Sequence, residues 1–128
     1  MPNTRIETRR GWVADPSALI DAVHDALIEA LRIPVSDRTL RLIEHEPERF
    51  SAPPGKGPRY TIVEITMFSG RSMDAKRMLY AAIVRNLGTL GVPPGDVKIT
   101  LIDVPLENWG VRGGKPASEV ELGFEVRV

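Results

Sequence analysis

Residues 31–50 read LRIPVSDRTLRLIEHEPERF, and residues 90–109 read LGVPPGDVKITLIDVPLENW. The two segments align without a gap at an offset of 59 residues and share six identical positions, among them Asp37 with Asp96. The apolar positions just upstream of each segment pair at the same offset. Self-similarity at a fixed offset is the signature of a repeated structural unit. The chain is therefore predicted to contain two copies of one unit of about 60 residues.

The first copy is predicted to form a strand, a helix and a second strand. Residues 3–8 favour a short strand. Asp15 is a suitable cap for a helix that begins at Pro16, where the missing N–H of proline has no cost. Apolar residues then recur at helical spacing until Pro34 ends the helix, and residues 39–45 favour the second strand.

The second copy repeats this order. Residues 60–68 are rich in β-branched and aromatic side chains, which suit a pleated sheet. Ser72 can cap a helix that runs to about residue 90, where Gly91 stops it. Residues 97–104 alternate apolar and polar side chains, which is typical of a half-buried strand.

These elements predict an α+β fold in one domain. A helix between two strands implies that the strands of each copy run parallel, joined by a right-handed crossover. We expect a four-stranded, mostly parallel or mixed sheet with two helices on one face, and an open face that packs on other subunits. The tail alternates apolar and polar residues over 120–128 and is predicted to be an edge strand. The predicted divisions of the domain (1–128) are repeat 1 over about 1–50, a Pro- and Gly-rich linker over 51–59, repeat 2 over about 60–109, and a tail over 110–128.

Composition argues against several classes of protein. The 128 residues include 17 Lys and Arg against 17 Asp and Glu, so no basic excess favours nucleic acid or an anionic membrane. There are no cysteines, which excludes disulfides, and His24 and His45 are too far apart in sequence to indicate a metal site. No apolar run is long enough for a signal peptide or a membrane span, so we expect a cytoplasmic protein.

Pro2 is the residue with the most unusual potential reactivity. It directly follows Met1, so removal of Met1 would expose a secondary amine. An ordinary α-amine has a pKa near 8, and an apolar pocket or a nearby cation lowers that pKa by disfavouring the ammonium form. A neutral amine can take a proton from carbon next to a carbonyl and return it elsewhere, which is keto–enol tautomerisation. If Met1 is retained, Pro2 merely begins a strand.

A tandem β-α-β chain of this length that begins Met-Pro resembles the tautomerase superfamily. The segment DAVHDALIEALRIPVSDR (21–38) resembles the malonate semialdehyde decarboxylase branch, while ITMFSGRSMDAKRMLY (65–80) and ENWGVRGGKPASE (107–119) resemble bacterial proteins similar to 4-oxalocrotonate tautomerase. The resemblance implies a homotrimer, a small carboxylate substrate, Pro2 as general base or acid, and no metal or organic cofactor, because an amine and a cation suffice.

Five further residues are candidates for the site. Arg71 stands beside a helix N-terminus, where an arginine can bind a substrate carboxylate, although a solvated turn arginine would look the same. The resemblance implies that Asp37 orients or activates water, but Asp96 at the equivalent place suggests a plain turn residue. By the same resemblance Trp109 and Val111 form an apolar wall, and Arg112 replaces a second arginine that the decarboxylase branch has and this chain lacks.

Three functions remain open on this sequence. The first is a tautomerase that interconverts keto and enol forms of a small 2-oxo acid. The second is a decarboxylase or hydratase of the malonate semialdehyde type, favoured by Asp37 and weakened by the single arginine at residue 71. The third is a non-catalytic trimer that binds a ligand or a partner protein, which follows if Met1 is retained.

Overall fold

The computed structural model describes residues 2–128 and confirms the α+β fold. Met1, whose removal the proline chemistry requires, lies outside the described residues. Four strands form the main sheet and two helices pack on it, and a two-stranded hairpin follows the sheet. The main strands are β1 (Asn3–Arg9), β2 (Leu40–His45), β3 (Thr61–Phe68) and β4 (Val97–Val104), the helices are α1 (Pro16–Leu31) and α2 (Met73–Gly88), and the hairpin strands are β5 (Gly110–Val111) and β6 (Lys115–Pro116).

The sheet is mixed, with the order β2-β1-β3-β4. The strands within each copy pair in parallel, as the crossover rule predicts, while β1 and β3 pair antiparallel in the middle. At this junction Thr8 lies opposite Thr61, so the two copies run in opposite directions across the sheet.

Both helices begin at the predicted caps. The Asp15 carboxylate accepts a hydrogen bond from the backbone N–H of Ala18 at 3.3 Å, and the Ser72 hydroxyl accepts one from Ala75 N–H at 3.1 Å. The first helix ends earlier than Pro34, because Arg32 adopts a left-handed conformation (φ 56°) and its N–H closes the last turn. The second helix likewise ends two residues before residue 90, at Gly88.

The core lies between the helices and one face of the sheet. Alternate residues of the two central strands point into it, and Ile6, Val63 and Ile65 have no exposed side-chain area. Helix residues such as Leu27 and Ile83 belong to the same buried cluster. Along β4 half-buried and exposed residues alternate over 97–102, which confirms the alternation that predicted this strand.

The opposite face of the sheet is open and carries a mixture of charged and apolar side chains. Glu7 accepts a hydrogen bond from His45 at 3.0 Å, and Arg5 lies 3.8 Å from Glu64. Ile102, on β4, is 40% exposed on this face. A half-exposed isoleucine on a flat sheet leaves apolar area in contact with water.

The predicted C-terminal edge strand is wrong. After Pro116 the described chain forms a 3₁₀ turn and then an irregular tail, without pairing to another strand. Gly123 takes φ +80°, which breaks the extended backbone that a strand needs. The tail instead folds back onto the domain, where Val126 is buried and Val128 accepts a hydrogen bond from Ser72 N–H at 2.9 Å.

Candidate active site

The topology brings four chain segments to one edge of the sheet. Because β1 and β2 run opposite to β3 and β4, the starts of the first two strands lie at the same edge as the ends of the other two. That edge therefore gathers the N-terminus and the segments before Leu40, after Phe68 and after Val104. All six candidate site residues lie on these segments.

A cavity of about 530 Å³ opens at this edge. It brings together three of the predicted site residues, Asp37, Val111 and Arg112. The remaining lining is mostly apolar and comes from the turn before β2, the hairpin and the tail. These lining residues are Pro34, Ser36, Gly110, Leu122 and Phe124.

Pro2 directly precedes β1 beside this turn and is buried, and it is not among the residues that line the cavity. Thr4 N–H donates a hydrogen bond to Thr39 O at 3.0 Å, which ties β1 to the chain just after the turn. In the parallel register Thr4 lies level with Leu40, so continuing the register by two residues brings Pro2 level with Arg38. The N-terminal proline is thus next to the segment that carries Asp37.

Asp37 lies in a tight turn on the cavity wall. Its backbone N–H donates to Pro34 O at 3.0 Å, which closes a four-residue turn, and its side chain is part-buried. The carboxylate acts electrostatically on Arg71, whose pKa it raises. Asp37 therefore has both the turn geometry of a structural residue and a place on the cavity wall.

Arg71 is buried rather than free in the cavity. Only 8% of it is exposed, and its Nη1 donates to the backbone oxygens of Leu31 at 2.9 Å and Glu125 at 3.2 Å. Burial lowers the pKa of Arg71, while the charges of Glu125 and Asp37 raise it. Its Cζ lies 5.9 Å from the ring centre of Phe124, which lines the cavity. The guanidinium thus places positive charge behind the cavity wall.

Trp109 supports the hairpin and does not line the cavity. Its indole N–H donates to Val104 O at 3.1 Å, and its ring meets Phe68 edge-on at 4.9 Å between ring centres. The next residues along the chain, Gly110 and Val111, line the cavity. The apolar wall that was expected from Trp109 and Val111 together therefore comes from Val111 without the indole. The position of Trp109 therefore fixes the wall from behind.

Arg112 is the exposed cation of the cavity. It adopts a left-handed backbone (φ 47°), and Gly113 and Gly114 continue with positive φ. A hydrogen bond from Gly114 N–H to Val111 O at 3.1 Å closes this turn. A left-handed arginine is uncommon and costs free energy, so its presence at a cavity wall marks a residue whose direction matters.

The tail residues Leu122 and Phe124 were missed by the sequence reasoning. Their alternating apolar pattern was present but was interpreted as a strand edge. Phe124 lies between the Arg71 guanidinium and the Phe68 ring, whose centre is 6.4 Å away. The tail thus supplies the apolar lining of the cavity.

Comparison with known families agrees with this arrangement. The family model described as "Tautomerase enzyme" matches residues 37–112, more than half of the chain and the span from Asp37 to Arg112. The chain belongs to the tautomerase family. Within the tautomerases, the 2-hydroxymuconate tautomerase of Comamonas testosteroni is 38% identical over 61 residues, which are 47% of this chain and 92% of that protein. A probable tautomerase of Ralstonia nicotianae is 34% identical over 53 residues, 41% of this chain and 76% of that one.

Solved tautomerase structures share the whole fold. FG41 malonate semialdehyde decarboxylase, inhibited by 3-bromopropiolate, is 32% identical, with a TM-score of 0.79 over 89% of this chain and 92% of that one. A fused 4-OT, solved as a symmetric trimer, is 23% identical, with a TM-score of 0.80 over 90% of this chain and 95% of that one. The duplicated tautomerase fold therefore accounts for nearly all of the chain.

Within residues 2–128, the acidic and histidine side chains do not assemble a group of three that could hold a metal ion. Neither helix has the length and apolar character needed to cross a membrane.

Proposed function

We propose that this tautomerase-family enzyme interconverts the keto and enol forms of a small 2-oxo carboxylic acid, with Pro2 as general base and acid after Met1 is removed. The observation that carries the proposal is the meeting of Asp37, Val111 and Arg112 in one cavity at the sheet edge where Pro2 precedes β1. An amine, a cation and an apolar wall are the components that proton transfer at carbon requires.

The proposed reaction moves one proton without changing the composition of the substrate. The neutral amine of Pro2 takes the proton of the enol hydroxyl, and the resulting ammonium delivers a proton to carbon, which yields the keto acid and restores the amine.

The buried Arg71 guanidinium favours the neutral amine and the negative charge that develops on the substrate. The apolar lining from Leu122 and Phe124 strengthens both effects by excluding water.

We propose Arg112 as the group that binds the substrate carboxylate. It is exposed at the cavity, whereas Arg71 already donates to two backbone oxygens. The substitution Arg112→Asn keeps a residue that tolerates left-handed backbone and removes the charge. We expect KM for the acid to rise about 10- to 100-fold, the range for a lost charge-assisted hydrogen bond, with little change in kcat.

Steady-state kinetics on the acid and on its methyl ester test this assignment. The ester lacks the anionic partner, so its KM should be nearly the same in wild type and Arg112→Asn. An equal rise in KM for both substrates would show that residue 112 shapes the cavity instead of binding the carboxylate.

Decarboxylation of a 3-oxo acid is the second candidate activity. It is favoured by Asp37 on the cavity wall and by the 32% identity to a malonate semialdehyde decarboxylase. In this reaction the bond between the carboxylate and the α-carbon breaks, carbon dioxide leaves, and Pro2 ammonium protonates the resulting enolate carbon.

The substitution Asp37→Asn separates the two activities, because asparagine suits the same turn without the charge. If decarboxylation is the main reaction, we expect its kcat to fall about 100-fold or more, as for loss of an acid–base group. If tautomerisation is the main reaction, its rate should change less than about threefold. Product release from both substrates, measured on wild type and variant, distinguishes these results.

We also propose that the protein is a homotrimer assembled through the open face of the sheet. This proposal is supported by the exposed Ile43 and Ile102 on that face and by the trimeric fused 4-OT of the same fold. A sedimentation mass of three chains supports it, and a monomer mass at micromolar concentration contradicts it.

The intact mass of the purified protein is the first experiment for the proposed function. A mass lower by one methionine shows that the Pro2 amine is free. A mass that retains Met1 rules out both enzymatic proposals, because an acylated proline is not basic, and it favours the non-catalytic binding protein.

A further inference from the structure

We propose that His24 is a positioning residue for the cavity turn of residues 34–37. This inference rests on the proposed function for its effect on catalysis, but the hydrogen bond on which it depends can be tested separately. His24 lies on α1, is 1% exposed, and its Nε2 is 2.9 Å from the backbone oxygen of Val35. Val35 is in the middle of the turn, between the cavity residues Pro34 and Ser36.

The partner atom decides which ring nitrogen carries the proton. A carbonyl oxygen only accepts hydrogen bonds, so Nε2 of His24 must be the donor. Nδ1 is buried and has no hydrogen-bond partner within residues 2–128. The contact with Val35 therefore requires a proton on Nε2.

Little else holds the middle of the turn. The Val35 side chain is 71% exposed, so its packing contributes little to holding the backbone. The turn is closed at its ends by the hydrogen bond from Asp37 N–H to Pro34 O. The imidazole links the middle of the turn to the helix, while an ion pair between Arg38 and Asp21 holds the residue that follows the turn. Through the imidazole the helix sets the direction of the Asp37 side chain at the cavity.

A matched pair of substitutions separates positioning from simple core filling. Glutamine can offer an amide N–H near the place of Nε2, while methionine has nearly the shape of glutamine and no donor. We expect His24→Met to lower kcat/KM for decarboxylation, the reaction in which Asp37 is proposed to act, about tenfold, the factor for one lost buried hydrogen bond, and His24→Gln to retain most of it. Equal losses in the two variants would overturn the proposal.

Asp37 provides the second kinetic test. If His24 acts through the turn, His24→Met should have little further effect on kcat/KM in a chain that already carries Asp37→Asn. Full additivity of the two losses would show that the histidine acts elsewhere.

Hydrogen exchange tests the positioning without any substrate. In His24→Met the amide of Asp37 should exchange about tenfold faster than in His24→Gln, while the amides of β3 stay unchanged in both. Unchanged exchange at Asp37, or faster exchange throughout the domain, contradicts a local positioning role. The exchange rates can be measured even if no tautomerase activity is found. Failure of the proposed function can therefore be told apart from failure of the positioning role of His24.

Nitrogen NMR of the wild-type imidazole needs no variant at all. The His24 ring should carry its proton on Nε2, with slow exchange of that proton. A ring protonated on Nδ1, or an Nε2 proton in fast exchange with water, would overturn the hydrogen bond to Val35.

Discussion

Extending the chain by two residues ahead of Pro2 should lower kcat/KM for tautomerisation by about 100- to 10,000-fold. The extension turns the secondary amine into an amide, whose nitrogen cannot accept a proton at neutral pH. No other group takes over this proton transfer in the proposed mechanism, in which Arg112 binds the substrate carboxylate and Asp37 has no part. Initial rates with an enol of a 2-oxo acid measure the effect.

The control is the same extended protein after a protease has removed the extension to leave Pro2 first. Cleavage should restore the rate, which excludes a loss of folding as the cause. Pro2→Ala with its free primary amine should fall between the two. Equal rates before and after cleavage would remove Pro2 from the mechanism.

Replacing Arg71 by methionine should lower the free energy of unfolding by about 3 kcal/mol. The change leaves the backbone oxygens of Leu31, which is buried, and of Glu125 without their charged donor. Methionine fills much of the volume, so the loss reflects mainly the hydrogen bonds. Urea denaturation, read from the midpoint at constant slope, gives the value.

Arg77→Met is the matched control for this measurement. Arg77 lies on α2, six residues after Arg71, is exposed, and pairs with Asp74 at 2.8 Å on the helix surface. An exposed pair of this kind contributes about 0.5 kcal/mol or less. If Arg71→Met lowers the stability no more than Arg77→Met, the buried hydrogen bonds do not contribute as argued.

The strands and helices were predictable because their signals are local. The alternation over 97–104 gave the strand bounds that the structure shows, and Asp15 and Ser72 capped the helices as expected. Each of these signals depends on residues at most a few positions apart. The parallel pairing within each copy then followed from the length of the connecting helix.

The tail was mispredicted because its conformation depends on distant residues. The pattern of Leu122, Phe124 and Val126 is that of a strand, and only Gly123 hints at a break. What holds the tail is Arg71, whose Nη1 donates to Glu125 O across 54 positions of sequence. A single sequence carries no record of such a contact.

The sequence predicted three of the residues that line the cavity, but it did not predict how the side chains around them pack. Asp37, Val111 and Arg112 meet in the cavity because opposite strand directions bring their segments to one edge. The burial of Arg71 and the contact of His24 with Val35 depend on how side chains pack after the fold has formed. Spacing and composition do not encode that packing.

Because β1 and β3 pair antiparallel, equivalent positions of the two copies lie at opposite edges of the sheet. The offset of 59 matches Pro2 with Thr61, at the opposite edge of the sheet. The nitrogen of Thr61 is part of a peptide bond and cannot act as a basic amine, and the Thr61 hydroxyl donates to Arg59 O at 2.9 Å. Asp96, the counterpart of Asp37, accepts from Gly57 N–H at 3.1 Å and fastens the joining segment. If Pro2 acts as proposed, the chain has one reactive amine for its two folded halves.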